Sequence, residues 1–113
     1  LYVLTKAAVS GMTASLARAL ARTGITVNSV MPGTILTPAV EAWLSHVASQ
    51  HDWGTDWEEI ERRFTSELIP LCTSKLGRPE DIGRMVALLA SPLSGYMTGS
   101  NYRVDGGQVR AIV

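Results

Sequence analysis

The stretch Ile25-Thr-Val-Asn-Ser-Val-Met31, set between Gly24 and Pro32-Gly33, constrains this chain more than any other. It is short, rich in β-branched residues and bounded by turn formers, which predicts a strand. Its apolar residues do not alternate strictly, and that suits a strand covered on both faces, as in a parallel sheet. Parallel strands cannot be joined by tight turns and need long crossovers, usually helical. An α/β architecture is therefore expected. Pro32-Gly33 breaks the strand at its C-terminal end, the side on which open α/β sheets bind their ligands.

The flanking segments supply the helices. Val3, Leu4, Ala7, Ala8, Gly11, Met12, Ser15, Leu16, Ala19 and Leu20 recur at helical spacing and predict a helix over residues 2–22. That face is small enough for a second helix to approach closely. Gly24 is placed as the left-handed residue that ends the helix. Thr37-Pro38 combines a good N-cap with a good first helical residue and opens a helix to about Ser49. Thr55-Asp-Trp-Glu58 reads as a capping box for another helix, which reaches about Leu68 before Pro70. Residues 38–76 are thus expected as a helical insertion between two sheet elements. Such an excursion is often a substrate lid. Its tryptophans, Trp43, Trp53 and Trp57, suit helix packing, and at least one suits a pocket wall. Gly77-Arg-Pro-Glu-Asp81 opens a helix whose apolar face is Ile82, Met85, Val86, Leu88 and Leu89. Asn101-Tyr-Arg-Val-Asp105 reads as the last strand, closed by Gly106-Gly107, and the tail from Gln108 is too short to assign.

Composition narrows the partners. The chain has 113 residues, 46% of them hydrophobic, and ten basic residues balance ten acidic ones. No basic run marks a nucleic acid or anionic membrane surface. No apolar run approaches a membrane span and no signal peptide is visible. A single cysteine, Cys72, suits a reducing cytosol and is expected as a small buried side chain. His46 and His51 lack companions at metal-ligand spacing and read as solvated, so no metal site is expected.

The chemistry is expected at the start of the chain. Tyr2 and Lys6 stand four apart and lie on one face of a helix, one turn from each other. The Lys6 ammonium can favour the Tyr2 phenolate and lower its pKa from about 10. Such a phenol can exchange a proton with a substrate oxygen near neutral pH. A lysine at this distance from a tyrosine is common, so the pair gains weight only from the motifs further along the chain. The chain opens with Leu1 rather than methionine, and nothing upstream of Tyr2 is there to position a substrate. It is therefore expected to be a fragment.

Four stretches taken together carry a resemblance: Tyr2-Val-Leu-Thr-Lys6, Asn28-Ser-Val-Met-Pro-Gly-Thr-Ile-Leu-Thr37, Gly77-Arg-Pro-Glu-Asp81 and Gly99-Ser-Asn-Tyr-Arg-Val-Asp-Gly-Gly107. In order and spacing the chain resembles the C-terminal part of the classical short-chain dehydrogenase/reductase family. The resemblance implies a doubly wound, Rossmann-type parallel sheet, with residues 1–113 as the C-terminal fragment of one dinucleotide-binding domain. It implies hydride transfer between NAD or NADP and a carbonyl or alcohol. Tyr2 would be the general acid/base, and Lys6 would tune it and hold the cofactor ribose. Pro32 and Gly33 would lie beside the nicotinamide, and the Ile35 backbone with the Thr37 hydroxyl would bind the carboxamide. The resemblance further implies a homo-oligomer, which the lone cysteine makes cytoplasmic in expectation, and a missing N-terminal half, which in the family carries the glycine-rich loop and the remaining catalytic residues. The alternative is a non-catalytic half-domain that serves assembly or nucleotide binding only. With only two strand candidates, 25–31 and 101–105, the isolated chain is expected to be inactive and to leave one edge of strand 25–31 in need of cover.

Overall fold

The computed structural model describes residues 1–110. In chain order it contains α1 (Tyr2–Ala19), β1 (Ser29–Pro32), α2 (Pro38–Gln50), α3 (Trp57–Arg63) continued by a π-helical turn (Phe64–Leu68), α4 (Pro79–Leu89), a 3-10 turn (Pro92–Ser94) and β2 (Asn101–Val104). Among the described residues β1 and β2 form one two-stranded sheet. Ser29 N–H bonds Ser100 C=O and Gly33 N–H bonds Val104 C=O, so both partners advance together and the pair is parallel. The chain divides into two compact units: Leu1–Met31 with Ile82–Arg103, and Pro32–Asp81 with the segment from Val104.

In the first unit α1 stops at Ala19, three residues before the expected end. Arg22 takes φ 64° and Gly24 φ 81°, so the exit uses two left-handed residues rather than one. The covered side of α1 also differs from expectation. Thr13 is buried and Ser10, Ala17 and Leu20 are half-buried, while Leu4, Met12 and Leu16 stay exposed. The small face is open at Gly11, where an added Cβ would meet nothing within 4 Å. The loop at Gly99 approaches the covered face: a Cβ built on Gly99 would lie 3.4 Å from Ala17 Cβ.

The regular strand is shorter than 25–31 because side chains share the pairing of its first half, where one backbone bond remains, Gly99 N–H to Val27 C=O at 2.7 Å. Val27 N–H donates to Thr98 Oγ1, Asn28 Nδ2 donates to Met97 C=O, and Ser100 N–H donates to Asn28 Oδ1. Asn28 therefore does by side chain what a ladder does by backbone. Pro32 closes the strand instead of preceding its break.

The second unit holds the buried core: Leu44, Val47, Ala48, Trp53, Ile60, Phe64 and Leu76. Leu44, Val47 and Ala48 fall on one side of α2, and Ile60 and Phe64 stand one turn apart. Each fully buried side chain of this size contributes roughly 1.5–3 kcal/mol. Trp43 packs edge-on against Phe64 with centroids 5.6 Å apart, yet remains 49% exposed. Thr37 caps α2, accepting from Val40 N–H, with Pro38 at the first position as expected. The cap of α3 is Asp56 rather than Thr55: its carboxylate accepts from Glu59 N–H. A carboxylate is the stronger cap because it also answers the helix dipole. Glu61 is buried and accepts from Leu76 N–H at 3.0 Å and from Arg78 Nη2 at 3.0 Å, tying α3 to the approach to α4. Cys72 is exposed, contrary to expectation. It lies against Gly106-Gly107, which have no side chains to cover it.

Glu59 is gripped by Arg62 Nε at 2.7 Å and Arg63 Nε at 2.6 Å. Hydrogen bonds from Arg62, then Arg63, lower its carboxyl from 4.5 to about 2. A carboxyl lowered on folding stabilises above its unfolded value, and that contribution is lost as pH falls through the folded one. The Glu59 carboxyl is therefore expected to titrate with a midpoint of about 2 by NMR. A midpoint at the ordinary glutamate value would show that the fork does not persist in solution.

Candidate active site

Tyr2 and Lys6 occupy the first turns of α1, in the first unit. The helix begins without a side-chain cap, and Thr5 N–H bonds Leu1 C=O. Lys6 Nζ stands 5.4 Å from the centroid of the Tyr2 ring, within cation–π range. Tyr2 is 74% exposed, so its hydroxyl is open to a reactant. At 3.6 residues per turn, Tyr2 and Lys6 lie on the same side of α1 as covered Thr13 and Ala17. The pair thus points where the rest of the helix packs.

Pro32, Gly33, Ile35 and Thr37 fall in the second unit. They form one continuous segment between β1 and α2. Gly33 is demanded by close approach: a Cβ there would come 2.7 Å from Asp105 Cα and 2.8 Å from Gln108 Oε1. Ile35 makes an isolated parallel bridge to Gly77. The bridge uses the flanking groups, with Gly77 N–H on Thr34 C=O and Leu36 N–H on Gly77 C=O. The N–H and C=O of Ile35 itself therefore face the opposite way. Thr37 Oγ1 accepts from Val40 N–H at 3.3 Å, which leaves its proton free to donate.

Three features here escaped sequence reasoning. Gln108 Oε1 accepts from Thr34 N–H at 2.8 Å and from Thr34 Oγ1 at 3.1 Å. Glu61 and Arg78 pair across 17 residues. A cavity of about 500 Å³ opens among Trp57, Glu58, Arg62, Lys75 and Arg78; Trp57 is one of the tryptophans expected at a pocket wall, but none of Tyr2, Lys6, Pro32, Gly33, Ile35 or Thr37 lines it. No group of three His, Cys, Asp or Glu among the described residues could hold a metal. No helix among them is long and apolar enough to cross a membrane.

A parallel strand pair joined through helices, with an open segment at the C-terminal end of β1, is the pairing of an α/β protein, and the structural likenesses below make it part of a Rossmann-type, doubly wound sheet. Residues 1–108 match the model of the family described as Enoyl-(Acyl carrier protein) reductase. Among curated relatives, the oxidoreductase YvaG of Bacillus subtilis is 38% identical over 112 residues, covering 98% of this chain and 42% of that protein. A diacetyl reductase [(S)-acetoin forming] of Staphylococcus aureus is 39% identical over 111 residues, covering 95% and 40%. Among solved structures, L-sorbose reductase from Gluconobacter frateurii, complexed with NADPH and L-sorbose, superposes with a TM-score of 0.80 at 31% identity, over 98% of this chain and 41% of that one. The chain belongs to the short-chain dehydrogenase/reductase family. It spans about two fifths of the length of the curated relatives it matches.

Proposed function

We propose that this chain is part of an NAD(P)-dependent oxidoreductase that moves a hydride between the nicotinamide and a carbonyl or alcohol. The observation that carries the reading is the exposed Tyr2–Lys6 pair, one turn apart at the start of α1, in a chain of this family. In the reducing direction the Tyr2 hydroxyl donates its proton to the substrate oxygen; in the oxidising direction the phenolate takes it back. Lys6 favours the phenolate by charge and donates hydrogen bonds to the ribose. The nicotinamide, when bound, supplies or accepts the hydride.

The donor set of segment 32–37 suits that cofactor. Ile35 offers an outward N–H and C=O, the complement of a carboxamide, and Thr37 adds a hydroxyl proton. Pro32 and Gly33 would flank the ring. Residues 38–76 serve as the substrate lid, and Trp43, whose indole stays half-exposed, is the tryptophan we assign to the pocket wall. An apolar, medium-sized carbonyl compound fits such a wall. The working enzyme is proposed to be a cytoplasmic homo-oligomer in which an N-terminal half completes the domain. The 113 residues alone are proposed to be inactive, since the described residues supply only two strands.

Lys6→Met in the intact protein tests the lysine. It removes a charged donor, so NAD(P)H affinity is expected to fall ~10-fold or more. ADP-ribose, which retains the ribose, should weaken equally. Unaltered affinity for both nucleotides would remove Lys6 from the site.

A further inference from the structure

We propose that Gln108 is a positioning residue for the cofactor-facing segment 33–37. This rests on the cofactor reading and extends it to a residue outside the expected set. Gln108 Oε1 holds both the backbone N–H and the hydroxyl of Thr34. Thr34 C=O is bonded on the other side by Gly77 N–H at 3.2 Å. Thr34 is thus held at both of its peptide planes, by Gln108 at the one before it and by Gly77 at the one after it. The second plane carries the Ile35 N–H, and the Gln108 grip fixes the chain that enters it.

Gln108 is itself rigidly presented. It ends a turn in which Asp105 Oδ1 accepts from Gly107 N–H at 3.1 Å and Asp105 C=O accepts from Gln108 N–H at 3.0 Å. Gly107 takes φ 80°, and a Cβ there would come 2.5 Å from Cys72 Sγ, so the turn seats against a second segment. Gly106 C=O accepts from Cys72 N–H at 2.8 Å and fixes that seat. Gly33 lets the two backbones close: a side chain at 33 would collide with Asp105 and with the Gln108 oxygen. The side chain therefore acts as a peg between a fixed turn and the strand-end loop. Half-burial shields it from competing water.

Gln108→Met, of similar length and without an acceptor, tests this in the intact protein. Without any cofactor, hydrogen exchange at the Thr34 amide is expected to accelerate by about 10-fold or more as its acceptor is lost. NADH or NADPH should then bind ~2–10-fold more weakly. ADP-ribose, which lacks the nicotinamide, should bind within about twofold of wild type, unlike in Lys6→Met. Gln108→Glu keeps an acceptor and should restore both readouts. Gln108→Asn withdraws the amide by one methylene and carries the same expectations as Gln108→Met where that variant does not fold. Unchanged Thr34 exchange, or equal weakening of both nucleotides, would overturn the proposal. A wild-type protein that binds ADP-ribose but neither NADH nor NADPH would instead sink the cofactor reading and this extension with it.

Discussion

Tyr2→Phe in the intact protein is expected to lower turnover ~10²–10⁴-fold while leaving NAD(P)H affinity within about twofold. Only the ionisable oxygen is lost, and the ring that faces Lys6 at 5.4 Å remains. Tyr2 is 74% exposed on the first turn of α1, so the substitution opens no cavity and leaves no buried group without a partner. A fall in rate therefore reports on proton transfer and not on folding. The decisive comparison is turnover against cofactor binding. Loss of both together would point to a displaced helix, and loss of neither would remove Tyr2 from the mechanism.

Phe64→Ala is expected to destabilise the intact protein by about 3–5 kcal/mol. Phe64 is 1% exposed and sits in the cluster formed by Leu44, Val47, Ile60 and Leu76. It occupies the π-helical turn, so its neighbours cannot collapse onto the gap without shifting the end of α3. Trp43 would also lose its edge-on partner. Leu93→Ala is the contrast: Leu93 is 86% exposed, and its truncation should stay within about 0.5 kcal/mol. Denaturant unfolding of the two variants, monitored by tryptophan fluorescence, reads both values. Equal losses would mean that the cluster is not the core that holds α2 and α3.

Local signals were legible in the sequence wherever a residue's conformation decides the matter. Thr37-Pro38 starts α2, Pro79 starts α4, Gly24 takes a left-handed φ, and Gly106-Gly107 follow the last strand. The parallel pairing was readable from the pattern at 25–31, although its length was not. Asn28 shows why. Its side chain replaces ladder bonds through partners about 70 residues away, a pairing that no local pattern encodes. The covered side of α1 within this chain was not legible for a related reason. Ala7, Gly11 and Ser15 look like a packing surface, but the chain's own coverage falls on Thr13 and Ala17, the latter against the loop at Gly99. Asp56 outcompeted Thr55 because both are good caps and adjacent, and their order alone could not rank them. Gln108 was missed because a glutamine after a glycine pair carries no signal until Thr34, 74 residues earlier in the chain, is placed beside it.

Hydride transfer assisted by a tyrosine acid can be measured directly. The experiment is a single-turnover reaction of the intact protein with NADH or NADPH deuterated at the transferring carbon, in the presence of a panel of medium-sized apolar ketones and aldehydes. Deuterium is expected on the carbinol carbon of the alcohol product, one atom per cofactor oxidised, and Tyr2→Phe is expected to suppress this transfer while the reduced cofactor stays bound. The mechanism fails if reduced cofactor binds the wild-type protein but never passes its deuterium to any of these carbonyls, or if transfer proceeds undiminished in Tyr2→Phe.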